Sequence, residues 1–157
     1  MLIEEKSSLA QEISEFVEYY GRNRSSLLPI LHEVQKKYRY VSDYAQQEIA
    51  MHLQIHPVEV YSIISFYSFL NTEPKGRNLV RICKSVTCDL HHKDNIVHAI
   101  ERELNIDIGE TTGDNKFTVE YVNCLGLCDQ GPAMAINDQV FTNLTPEKAV
   151  KHLNEVK

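Results

Sequence analysis

Asn71-Thr72-Glu73-Pro74-Lys75-Gly76-Arg77, followed by Leu79-Val80-Arg81-Ile82-Cys83, is the stretch at which the chain divides. The first seven residues are polar and rich in turn formers, so they read as a linker. The next five are mostly apolar and read as a short strand that ends on a cysteine. Before the break, apolar residues recur at helical spacing. After it they come in short runs separated by turns. The expected fold class is α+β, with a small helical bundle over 1–72 and a small α/β domain over 75–157.

Upstream of the break, Ile13, Phe16, Val17 and Tyr20 keep i, i+3, i+4, i+7 spacing, and Gly21 stops that helix. Ser25 or Ser26 is expected to cap a second helix carrying Leu27, Ile30, Leu31, Val34 and Tyr38 on its apolar face. Ser42 or Asp43 opens a third, with Ala45, Ile49, Met51 and Leu53. His56-Pro57 opens a fourth, with Val60, Tyr61, Ile64 and Phe66. Short helices joined by short loops imply a bundle.

Downstream, residues 91–104 read as a helix with Ile96, Val97, Ile100 and Leu104 on one face. Thr111–Asn115 is a turn, and Phe117–Tyr121 alternates like a strand. Ala133–Ile136 and Gln139–Phe141 make two further strands joined by Asn137-Asp138. Thr145-Pro146 caps a last helix with Ala149, Val150 and Leu153. The order β-α-β-β-β-α implies a small α/β sandwich.

The chain has 157 residues, 43% hydrophobic and 24% charged. A chain of this length buries about 68–70% of its unfolded surface and needs no covalent staple. The net charge is −6. Split at Thr72, six basic residues face nine acidic ones in the first part, and ten face thirteen in the second. No basic cluster and no Trp are present, which argues against a nucleic-acid partner and against binding to anionic membranes. No apolar run is long enough to span a bilayer. Met1-Leu2-Ile3-Glu4-Glu5 has no basic region leading into an apolar one. A cytoplasmic protein without direct membrane insertion is therefore expected.

All four cysteines lie beyond the break: Cys83 and Cys88 as C-x4-C, then Cys124 and Cys128 as C-x3-C. Each pair sits where a predicted strand runs out into a loop, and loops at one edge of a sheet can bring two such pairs together. Four explanations compete. A disulfide framework conflicts with a cytosolic chain of adequate length. Structural zinc takes four thiolates, but usually from knuckles that include C-x2-C. Unrelated buried thiols would not fall into two short pairs. A [2Fe–2S] cluster needs two thiolates on each of two irons, and two cysteine pairs match that demand. Its negative charge calls for backbone N–H groups aimed at the sulfurs. Lys84-Ser85-Val86-Thr87 and Leu125-Gly126-Leu127 permit tight loops, with Gly126 free to take φ > 0. Leu125 and Leu127 could shield such a cluster from water.

Cys83-x4-Cys88 with Cys124-Leu-Gly-Leu-Cys128, after a helical part ending in Ser65-Phe66-Tyr67, resembles the thioredoxin-like [2Fe–2S] subunit family. Its members include the small subunit of complex I and subunits of NAD-linked [FeFe] and [NiFe] hydrogenases and NAD-dependent formate dehydrogenases. Leu28–Tyr40, Val58–Phe69 and Gly109–Asn143 align with the family pattern. The resemblance implies a thioredoxin-like fold over 75–157 and a [2Fe–2S] cluster held by Cys83, Cys88, Cys124 and Cys128. It also implies a flavoprotein partner with FMN, an NADH site and its own iron–sulfur cluster, within a hydrogenase, formate dehydrogenase or complex I assembly. The chain has no G-x-G-x-x-G and no P-loop, so no nucleotide site of its own is expected. It lacks the C-x2-C of dithiol exchange. The function implied is one-electron transfer, not catalysis by the isolated chain. The alternative is a zinc-stabilised module that tethers subunits without redox chemistry.

Other polar candidates read as structural. His52 and His56 are four apart, but Pro57 ends or restarts the helix immediately after His56. His91 and His92 come soon after Cys88 and read as solvated residues opening a helix, with a hydrogen bond near the cluster that couples its potential to pH as the alternative. Phe66, Tyr67 and Phe69 read as core or interdomain packing, with a partner surface as the alternative.

Overall fold

The computed structural model describes residues 3–156, which form two compact units divided between Pro74 and Lys75. In the first unit, α1 (Ile3–Tyr20), α2 (Leu27–Tyr38), α3 (Asp43–Leu53) and α4 (Pro57–Phe66) pack as a bundle. Leu9, Ile13 and Val17 of α1 are buried with Ile30, Leu31 and Val34 of α2. Ala45, Ile49 and Leu53 of α3 and Val60 and Ile64 of α4 complete the core. Each set keeps three- and four-residue spacing, so it lies on one side of its helix. Gly21 ends α1 at φ +95°, a left-handed conformation that costs glycine little.

Three expectations for this unit need correction. Met51, Tyr61 and Phe66 are 64%, 53% and 79% exposed. At 100° per residue they project away from the stripes set by Ile49 and by Val60 and Ile64. Ser26 occupies the N-cap position of α2, as expected, but its side chain makes no cap bond. Asn23 caps a 3-10 turn over Arg24–Ser26, accepting from the Ser25 N–H at 3.0 Å, and the Ser26 hydroxyl donates to the Tyr20 carbonyl at 2.7 Å. The linker is also less loose than its composition suggests. Asn71 is buried, with its N–H on Gln35 Oε1 at 3.0 Å and its carbonyl accepting from the Val41 N–H at 2.7 Å.

In the second unit the order is β1 (Asn78–Cys83), α5 (Val86–Leu90), α6 (Lys93–Leu104), β2 (Phe117–Val122), β3 (Met134–Ile136), β4 (Gln139–Phe141) and α7 (Pro146–Glu155). Among the described residues these strands form one sheet ordered β2-β1-β3-β4. β1 runs parallel to β2, with Cys83 opposite Val122, and antiparallel to β3. A parallel pair needs a crossover, and α5 and α6 supply it. Val80 and Ile82 of β1, Ile96, Val97 and Ile100 of α6, and Ala149 and Leu153 of α7 are buried together. Arg81 lies opposite Glu120 and bonds it through Nε at 3.0 Å. Thr145 caps α7, accepting from the Lys148 N–H at 3.3 Å.

The helix expected over 91–104 begins two residues later. A separate short helix, α5, precedes it inside the first cysteine loop. His92, at φ +59°, breaks the path between them. Gly76 marks a close approach: a Cβ there would stand 2.7 Å from the Phe117 carbonyl carbon and 2.9 Å from the Thr118 nitrogen. Its N–H donates to Thr118 Oγ1 at 2.7 Å.

Candidate metal centre

The sheet order decides where the four cysteines go. β1 is a central strand, so its last residue, Cys83, is buried. Ser85 then turns the chain into α5, whose third residue is Cys88, also buried. The parallel neighbour β2 ends at Val122, beside Cys83. The chain leaves β2 through Asn123 into the loop of Cys124 and Cys128, and both of these cysteines are exposed. Two parallel strands that end side by side deliver their loops to the same edge, so the topology brings the two pairs together.

Polar contacts run within and between the loops. Cys124 Sγ and Cys128 Sγ are 3.3 Å apart. Gly126, at φ +83°, donates its N–H to Cys124 Sγ at 3.3 Å. That conformation is the one anticipated for this glycine, and it aims an amide at sulfur. Cys83 Sγ lies 3.3 Å from Ser85 Oγ. The Leu125 N–H of the second loop is directed at Cys83, the Ala133 N–H at Cys88, and the Thr87 hydroxyl of the first loop at Cys128.

These neighbours act unequally on the thiols. Burial raises the pKa of Cys83, but the Ser85 hydroxyl, the Ser85 and Leu125 N–H groups and the Cys88 thiol outweigh it, so Cys83 lies below the ordinary thiol value. Burial pushes Cys88 up, with the Ala133 N–H opposing and Cys83 adding to the rise. The Cys124 thiol beside Cys128 raises Cys128. The charged form of one sulfur is thus favoured, and its neighbours then resist a second uncompensated negative charge.

Several residues near the thiols carried no clear sequence signal. Lys93 is buried, with Nζ on Asp89 at 2.5 Å and on Asp94 at 2.8 Å, and it stands 5.4 Å from the Tyr121 ring centroid. In the sequence it looks like any lysine opening a helix. Ser85 and Thr87 read only as loop formers. His91 and His92 are both exposed. The His91 ring and Cys88 Sγ flank Gly131, at 3.4 and 3.6 Å from where a Cβ would stand. His52 is half-buried on α3, and His56 is the exposed residue that precedes α4. Among the described residues no helix is long and apolar enough to cross a membrane.

A profile of the thioredoxin-like [2Fe-2S] ferredoxins matches residues 13–157. The chain belongs to that family. An NADH-quinone oxidoreductase subunit from Buchnera aphidicola subsp. Acyrthosiphon pisum (strain APS) is 43% identical over 139 residues, covering 88% of this chain and 86% of that protein. The NADP-reducing hydrogenase subunit HndA of Solidesulfovibrio fructosivorans is 32% identical over 147 residues, covering 94% and 86%. A crystal structure of an air-oxidised NAD+-reducing [NiFe]-hydrogenase contains the same fold, with a TM-score of 0.72 and 23% identity. The likeness covers 83% of this chain and 22% of that one.

The cofactor of a thioredoxin-like [2Fe–2S] ferredoxin is a [2Fe–2S] cluster, and the thiols fit it. The donor set is four sulfurs in two pairs, the ligand type and the number that two irons require. N–H groups and hydroxyls point at the sulfurs from both loops, as a negatively charged cluster demands. Leu125 and Leu127 are half-buried beside the exposed pair.

Proposed function

We propose that this chain is the one-electron carrier of a multi-subunit NAD(P)-linked oxidoreductase. It holds its cluster on Cys83, Cys88, Cys124 and Cys128. It exchanges single electrons with the FMN of an NADH-binding flavoprotein partner. The observation that carries the reading is the meeting of two cysteine loops at one sheet edge, each contributing donors aimed at sulfur. The names of the relatives, a quinone oxidoreductase subunit and a hydrogenase subunit, support the same class of complex.

When bound, the cluster supplies a site that stores one electron. This chain binds it, keeps Cys83 and Cys88 from water, and balances its charge with amides and hydroxyls. Hydride transfer needs a flavin between nicotinamide and cluster, and this chain carries no dinucleotide fingerprint. The cluster-holding function belongs to residues 75–157, where all four thiols and the whole sheet lie.

The test is metal analysis and EPR on anaerobically purified full-length protein. About two irons and two acid-labile sulfides per chain are expected, with an EPR signal after dithionite and none after NADH alone. One zinc per chain with no iron, from iron-replete cells, would leave the subunit-tethering alternative standing. Rapid reduction by NADH with no flavin or second chain present would overturn the carrier assignment.

A further inference from the structure

We propose that the Ser85 hydroxyl sets the reduction potential of the cluster by donating a hydrogen bond to the Cys83 sulfur. The proposal rests on the reading that Cys83 is a cluster ligand. Its motive is an oddity of α5. Ser85 occupies the N-cap position, with β-region dihedrals (φ −72°, ψ 156°), and its carbonyl accepts from the Asp89 N–H at 3.0 Å. A serine there ordinarily turns its hydroxyl onto an N–H of the first turn. Ser42 and Thr145 do so on α3 and α7. Ser85 makes no such bond. Its hydroxyl lies 3.3 Å from Cys83 Sγ instead.

The direction of that bond follows from chemistry. A thiol can donate to the serine oxygen, but a metal-bound thiolate has no proton, so the hydroxyl must then be the donor. Reduction adds one negative charge, shared by the ligating sulfurs. A donor aimed at sulfur stabilises the reduced form more than the oxidised one and raises the potential. Cys83 is buried, so little water is available to replace the lost donor.

The experiment compares full-length wild type with Ser85→Ala, Ser85→Gly and Ser85→Thr by EPR-monitored redox titration. Removing the hydroxyl should cut the ratio of reduced to oxidised cluster at a fixed potential about tenfold, a midpoint about 59 mV more negative. Ser85→Ala and Ser85→Gly should shift alike, although glycine is the better N-cap. Ser85→Thr keeps the hydroxyl and should restore the wild-type midpoint. Iron content should be unchanged throughout. Midpoints in Ala and Gly variants equal to wild type refute the proposal while leaving the cluster assignment intact. A Thr variant shifted as far as Ala, or loss of the cluster from both Ala and Gly, refutes tuning in favour of a structural role. Wild-type protein with no [2Fe–2S] signal removes the underlying reading, and this proposal with it.

Discussion

Gly76→Ala tests whether the segment entering the second unit is a loose tether or part of its packing. The methyl group would stand 2.7 Å from the Phe117 carbonyl carbon, 2.9 Å from the Thr118 nitrogen and 3.0 Å from the Phe117 oxygen. All three are backbone atoms of β2, so no side chain can swing aside, and either the strand or the segment must shift. Overpacking of this kind costs about 1–3 kcal/mol. The shift also strains the bond from the Gly76 N–H to Thr118 Oγ1, 2.7 Å long and buried, worth about 1 kcal/mol. The total is about 2–4 kcal/mol. With a urea m-value of about 1–2 kcal/mol/M, the midpoint for unfolding of the second unit should fall by at least about 1 M. Far-UV circular dichroism of the full chain in urea reads this. Gly113→Ala is the internal control, because nothing lies within 4 Å of its Cβ position, and it should sit within about 1 kcal/mol of wild type. Gly76→Ala within about 0.5 kcal/mol of wild type would falsify the packing argument.

Three further outcomes are expected. Lys93→Met should lower the stability of the second unit by about 1–2 kcal/mol, discounted because Asp89 and Asp94 are themselves half or more exposed. The Asp89 and Asp94 bonds raise the Lys93 pKa despite burial, so its contribution is fully present below the unfolded value near pH 10 and lost as pH rises through the folded one. Urea midpoints of both proteins at pH 8 and pH 11 check this, and an equal gap at the two pH values contradicts it. Burial raises the Glu12 pKa, but bonds from Lys37 and Tyr38 outweigh it, and Tyr38, half-buried and bonded to Glu12 at 2.8 Å, is pushed up to about 12. Glu12 therefore stabilises the bundle above the unfolded carboxylate value of about 4.3, and that stability is lost as pH falls through the folded value. Glu12→Gln should cost about 1 kcal/mol at pH 7, with the gap closing as pH falls through the folded value, read from urea midpoints across acid pH. Gly126→Ala meets no atom within 4 Å but must hold φ +83°, a strain of about 1 kcal/mol, so the fold should survive. Its iron should bleach faster under a chelator, and bleaching at the wild-type rate counts against the aimed Gly126 amide.

Much of this protein was legible from spacing within single segments. Helical periodicity located Ile13 and Val17, Ile30 and Val34, and Ile96 and Ile100 in their cores, because those positions follow from 3.6 residues per turn. Ser42 and Thr145 declared their helices because an N-cap is a contact three residues long. Gly126 declared its left-handed turn, and the paired cysteines with their loop sequence declared a family. Some misses were local, such as the Asn23 turn ahead of α2 and the break at His92, but others depend on atoms far away in sequence. Tyr61 and Phe66 looked like core because they are apolar, yet the bundle offers α4 neighbours on one side only. Gly76 looked like linker, and only the approach of β2, some forty residues later, makes it irreplaceable. Lys93 carries no mark of its own in the sequence, and its place 5.4 Å from the Tyr121 ring centroid comes from the fold. The order β2-β1-β3-β4 makes β1 central, which buries Cys83 and leaves Cys124 and Cys128 exposed. Spacing determined that the cysteines come in two pairs. The parallel pairing of β1 with β2, a long-range contact no local pattern encodes, decided that both pairs reach one edge.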